Sequence, residues 1–409
     1  MLVLWLRLPI KVDRARRITQ EKCISQSHAT IMSPTCVEPK GGNINVLWIH
    51  TITMFRCWTS VILALIVTAT YVTSLPGSYA IQRRASKCNG YQDLCNRKYS
   101  NVTHIGAHDS FAVGKLGSLG SNQEANVTVQ LEDGIRLLQI QTHASSGHQD
   151  SNPSGLSLCH TSCALKNGGT LESYLRQVKQ FLDQNKNEVV TLVITNPDNK
   201  PVSNFAKAFE NTGLNSMAYR ANSNSISKND WPTLQELISQ NQRVVVFLDY
   251  KADVNQAKYI LPEFQNIWEN PYDQTSSNFN CTPDRYTHGT QNKMYLINHF
   301  RNSMVISSKI SSPDTDRIKD TNSVSSILKD ANHCAQQQNA YPTFVLVDFY
   351  SQGNGSVFKA LAKLNGVAYE DKELNANQTQ DGDAAVGPLR ASLPILLVTM
   401  IGVATMILI

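Results

Sequence analysis

The sequence has 409 residues, 41% of them hydrophobic and 17% charged. That composition allows a sizeable core and excludes a disordered or collagen-like chain. The net charge of +5 divides unevenly: residues 1–84 carry ten Lys/Arg against three Asp/Glu, a net of +7, and residues 85–383 carry 26 against 29, a net of −3. The body is therefore slightly acidic and has no basic groove with interleaved aromatics, which excludes nucleic acid as a partner.

The first feature in chain order is an apolar run from Trp58 to Tyr71, preceded by Arg56 and followed by the small-residue exit Ser78-Tyr79-Ala80. It is short for a bilayer span, which needs about 20 apolar residues. It reads as a secretory signal over residues 54–80, opening at Met54. Residues 1–53 then form an upstream extension of doubtful status. The other reading is a signal-anchor with residues 1–53 in the cytosol.

From residue 85 short apolar runs alternate with longer amphipathic ones. The strand-like runs are Val102–Gly106, Ile135–Gln141, Val189–Thr195, Val244–Asp249, Met294–Asn298 and Phe344–Phe349. Between them, Thr170–Lys186 places Leu171, Tyr174, Leu175, Val178, Phe181 and Leu182 on one helical face. Thr233 and Glu236 form a capping box that opens a helix through Ser239. Ser356–Leu364 reads as a helix closed by Gly366. Alternation over residues 85–370 predicts an α/β fold, an irregular eight-stranded (β/α) barrel of the TIM type. Six strands are evident, so two are hidden, expected near Met217–Arg220 and between Phe300 and Ser326. A doubly wound open sheet is the alternative. No glycine-rich phosphate loop follows the first strand, which counts against it. Residues 221–230 and 270–292 read as loops, and 371–392 as a solvated linker.

The chain closes on the uncharged run 393–409, preceded by a spacer and the small residues Gly382, Asp383, Ala384 and Ala385. That is the pattern of a removable tail for a glycolipid (GPI) anchor, with an ordinary terminal span as the rival. Three cysteines fall before residue 85. The other six are Cys88, Cys95, Cys159, Cys163, Cys281 and Cys334, an even set that suits disulfides in a secreted body. Several pairings are open to six cysteines; the two short spacings suggest Cys88–Cys95 and Cys159–Cys163, leaving Cys281–Cys334. Asn101, Asn126, Asn280, Asn354 and Asn377 begin N-glycosylation triplets.

In a β/α barrel the chemistry sits at the C-terminal ends of the strands. The polar residues there include His108 and Asp109 after the first run, Gln139, Gln141 and His143 on the second, and Asp249, His299 and Asp348 on later ones. His160 follows shortly after the second run. Histidine exchanges a proton near neutrality, so two histidines with carboxylate partners at one mouth predict acid–base chemistry. Tyr250, Phe349 and Tyr350 could line a sugar-binding mouth, though packing at the barrel rim is the favoured reading; His104, His299 and His333 are expected to be structural.

The elements GAHDS (106–110), GIRLLQIQTH (134–143), LCH (158–160) and VLVDFY (345–350), in this order, resemble the phosphatidylinositol-specific phospholipase C X-domain superfamily, most of all its secreted fungal phospholipase C-like phosphodiesterases. The resemblance spans residues 88–370. It implies His108 as the general base on the inositol 2-hydroxyl and Asp348 as the carboxylate that orients it. It implies His160 as the general acid, Asp109 as that residue's partner, and Asp249 as a substrate-binding group. In relatives, the positions of Gln139 and Gln141 carry charged phosphate-stabilising residues or acidic calcium ligands. Two neutral amides predict no metal or other cofactor. Phosphate stabilisation then passes to neutral donors, with these glutamines on the substrate, or to a cation such as Lys115. The expectation is an extracellular, cell-surface, glycosylated phosphoric diester hydrolase, anchored to plasma membrane or cell wall, that cleaves inositol phospholipids or related phosphodiesters. The rivals are a catalytically silent barrel that binds a phospholipid or sugar headgroup, and a metal-dependent phosphodiesterase.

Overall fold

The computed structural model describes residues 85–145, 152–304 and 311–378. The signal segment, the upstream extension and the C-terminal tail lie outside the described residues. Within them no helix is long and apolar enough to cross a membrane.

Eight parallel strands form the frame: β1 His104–Ala107, β2 Leu137–Ala144, β3 Val190–Thr195, β4 Val244–Leu248, β5 Ile260–Pro262, β6 Ile267–Glu269, β7 Met294–Asn298 and β8 Phe344–Val347. They pair in the order β5-β4-β3-β2-β1-β8-β7-β6. That is the sequential order of a β/α barrel, with β5 and β6 left as the two edges of an open seam. The fold is thus α/β, an irregular eight-stranded barrel.

Helices cover the outside: α1 Val127–Asp133, α2 Leu171–Gln184, α3 Val202–Thr212, α4 Leu234–Ser239, α5 Val324–Gln338 and α6 Ser356–Asn365. Helix α2 starts where Thr170 Oγ1 accepts from the Ser173 amide at 3.1 Å and buries the apolar face that its spacing predicts. Each fully buried Leu or Phe on that face contributes about 2 kcal/mol. The capping box at Thr233 and the left-handed Gly366 closing α6 are both present.

Side-chain parity divides each strand between two cores. Leu137, Val193, Val245, Phe247, Leu261, Ile267, Met294, Leu296, Phe344 and Leu346 fill the barrel interior, and their neighbours in sequence pack under the helices. His104 lies on the interior floor, stacked on Phe344, and burial lowers its pKa to about 4, so it is neutral there. The next inward place on β1 is Gly106, where a Cβ would lie 2.4 Å from Leu137 Cδ2.

The hidden strands are not where they were expected. Met217 ends a short 3₁₀ turn, and Ala218 makes a single parallel bridge to Val244. Between Phe300 and Ser326 the chain forms an antiparallel pair, Asn302–Met304 with Ser311–Pro313, outside the barrel. The missing strands are β5 and β6, three residues each, too short to show a period. The six body cysteines pair as Cys88–Cys95, Cys159–Cys163 and Cys281–Cys334.

Candidate active site

Continuing the interior parity upward, the places above the apolar layer fall on His108, Gln139, Gln141, Thr195, Asp249, Glu263, Glu269, Asn298 and Asp348. Most of these line a cavity of about 530 Å³ at the C-terminal end of the strands. The alternation that buries Phe344 and Leu346 therefore aims Asp348 inward beside His108.

His108 Nδ1 lies 2.9 Å from Asp348 Oδ1, and Asn122 Nδ2 donates to the same oxygen at 2.9 Å. A carboxylate on Nδ1 fixes the proton there and leaves Nε2 as the basic nitrogen. The ring stacks on Phe300 at 4.0 Å between centroids, 6° from parallel. Burial is the largest influence on its pKa and lowers it, but Asp348 and then Asp109 raise it further, and the net displacement is upward.

Asp109 Oδ2 lies 3.2 Å from His160 Nε2 and 3.7 Å from His108 Nε2. Burial raises the Asp109 pKa against the pull of both histidines. His160 stands on the loop closed by the Cys159–Cys163 disulfide. One carboxylate thus bridges the two imidazoles that the sequence picks out.

The two glutamines serve the backbone. Asp109 has φ +38° and Thr161 φ +61°, left-handed values that strain a side-chain-bearing residue. Gln139 Oε1 accepts from the Asp109 amide at 2.7 Å, and Gln141 Oε1 accepts from the Thr161 amide. Each amide oxygen therefore holds the residue that follows one of the histidines. Both glutamines also line the cavity.

Across the cavity Asp249 Oδ1 accepts from the amides of Asn196 and Tyr250 at 2.8 and 2.7 Å. Burial lifts its pKa to about 6. Arg285 reaches it at 3.6 Å and Glu269 at 3.2 Å, with its guanidinium over the Phe264 ring. Burial disfavours the Arg285 charge, but Glu269, Glu263 and Asp249 outweigh it and keep the guanidinium charged. Glu263, buried under this group, is held well above the usual carboxylate range by desolvation and then by Glu269.

Lys115, expected as a possible cation on the phosphate, is exposed and does not line the cavity; Arg285 does. Glu263 and Glu269 escape the sequence because β5 and β6 do, their inward parity being the available signal, and Arg285 escapes it because it stands in a polar loop. Tyr250 lines the mouth and is 49% exposed, whereas Phe349 and Tyr350 are buried. Of the cavity carboxylates, Asp109 faces histidines, Asp249 and Glu269 face Arg285, and Asp273 accepts from Asn302 and Ser311; among the described residues no group of three or more His, Cys, Asp or Glu is placed to hold a metal ion.

Known proteins share this arrangement of sequence. Residues 94–365 match the family described as PI-PLC X 1. A protein of Arthroderma benhamiae named an uncharacterized secreted protein is 40% identical over 317 residues, 75% of this chain and 70% of its own. A PI-PLC X domain-containing protein 1 from the same fungus is 39% identical over 311 residues, 74% of this chain and 96% of its own. Among solved structures, phosphatidylinositol-specific phospholipase C of Listeria monocytogenes aligns with a TM-score of 0.45 and 15% identity, covering 66% of this chain and 95% of that one. With a family match across most of the barrel and two fungal relatives near 40% identity, the chain belongs to the PI-PLC X domain family.

Proposed function

We propose that the protein is a secreted phosphoric diester hydrolase that cleaves inositol phospholipids or related phosphodiesters by metal-independent acid–base catalysis. The observation that carries this reading is the Asp109 carboxylate set between two histidines, one of which is fixed by Asp348 on its other nitrogen. His108 Nε2 takes the proton of the attacking inositol hydroxyl. The new O–P bond forms as the bond to the lipid oxygen breaks, and the Asp109–His160 pair returns a proton to that oxygen. Arg285 and Asp249 contact the headgroup hydroxyls. Exposure of Asn101, Asn126, Asn280, Asn354 and Asn377 supports glycosylation, the three disulfides support secretion, and the 393–409 run supports a GPI-anchored cell-surface location.

The test is hydrolysis of a phosphatidylinositol analogue by the secreted protein, with and without chelator, beside His108→Ala. Turnover is expected to ignore the chelator and to fall about a hundred- to ten-thousand-fold in the variant. A second reading, a silent headgroup-binding barrel, is favoured by the engagement of Gln139 and Gln141 with backbone amides in place of a charged clamp. Headgroup binding without turnover on a panel of phosphodiesters would establish that reading instead.

A further inference from the structure

We propose that His299 is a positioning residue: with Asp330 it forms a buried clamp that sets His108 against Asp348. The proposal rests on the acid–base reading above. His299 is fully buried. Its Nδ1 lies 2.7 Å from Asp330 Oδ2 and its Nε2 lies 2.9 Å from the Thr321 carbonyl oxygen. Each ring nitrogen thus has its own oxygen partner, so the ring is held from both ends. Ser326 Oγ stands 3.4 Å from Nε2, longer than a nucleophile–base hydrogen bond, and Thr321 takes that nitrogen at 2.9 Å, so the three residues are not a nucleophilic triad. A buried pair of this kind is often no more stabilising than apolar residues of the same volume. Its use lies in what it orients.

Three connections run from the pair to the base. Phe300, the next residue, lies flat against the His108 ring. The His299 amide donates to the Leu346 carbonyl at 2.9 Å, two residues before Asp348. Thr321 precedes Asn322, whose Nδ2 donates to the carbonyls of Asp348 and Phe349 at 2.9 and 3.1 Å. One buried histidine therefore ties down both the face of the base and the main chain that carries its carboxylate. Phe279 and the disulfide-bonded Cys334 pack against the pair.

The experiment uses the full chain with ¹⁵N-labelled histidine. Asp330→Asn breaks the pair, and His299→Phe with Asp330→Leu removes it without stranding a charge. Ser326→Ala leaves the pair whole and is expected to match the native protein. In the first two variants the neutral His108 ring is expected to pass from one Nδ1–H tautomer to a mixture, with a lower titration midpoint. On the phosphatidylinositol analogue kcat is expected to fall about ten- to a hundred-fold with KM little changed. A native tautomer and midpoint for His108 in the folded double variant overturns the proposal. Absence of turnover in the native protein defeats the acid–base reading alone, because the nuclear resonance result still decides the clamp.

Discussion

Two substitutions beside His108 displace its proton affinity in opposite directions. Asp348→Asn removes the carboxylate that raises it, so the acid limb of kcat/KM against pH is expected to move to lower pH while the plateau falls. Phe300→Ala opens the stacked face to water and relieves the desolvation that lowers it, so the same limb is expected to move to higher pH. Paired pH–rate profiles check both, and limbs that shift the same way would exclude His108 as the titrating base. At this scale much of the site was legible. His108, Asp109, His160 and Asp348 each end or follow an apolar run, but it was the resemblance of GAHDS, LCH and VLVDFY that singled them out from the other strand-end residues, and the structure brings them together. The glutamines were legible as cavity residues but not as props for Asp109 and Thr161. A left-handed backbone at a residue other than glycine leaves no mark in the sequence.

Among the elements, long regular segments were legible and short ones were not. Helix α2 announces itself through a cap and a periodic apolar face. Strands β5 and β6 have three residues each, joined by a single helical turn, Glu263–Asn266. No alternation fits in so little chain, and with these strands went Glu263 and Glu269. Arg285 was lost for a related reason: it stands in a long polar loop, and a main-chain bridge to Glu269 with ion pairs to Glu269 and Asp249 brings it to the cavity. That loop is tied to α5 by Cys281–Cys334 across 53 residues of chain. A crosslink of that span stabilises by about 4 kcal/mol on the chain-entropy account. Cys281→Ala with Cys334→Ala is expected to lower the urea midpoint accordingly. A change well under 1 kcal/mol in the urea denaturation curve would show that the loop is held without its crosslink.

The molecule as a whole is a barrel with an unclosed seam. Strands β2, β1 and β8 lie at the middle of the hydrogen-bonded order, and β5 and β6 lie at its ends. An edge strand keeps backbone groups on one side unpaired, and short edges open at lower free energy than central strands. Native-state amide exchange is therefore expected to be fastest in β5 and β6 and slowest in β1 and β8. Equal protection around the ring would contradict this ordering. The two sides of the cavity inherit the difference. His108 and Asp348, and His160 through the Leu156–Cys159 strand that pairs with β2, hang from the centre of the sheet, whereas Glu263, Glu269 and Arg285 hang from its edges. On the proposed mechanism the two proton-transfer histidines would then sit on the better protected side, opposite the wall expected to exchange faster. If the proposed reaction is the one catalysed, a cavity divided in this way is expected to tolerate headgroups of unequal bulk on one side while the acid–base pair on the other keeps its alignment.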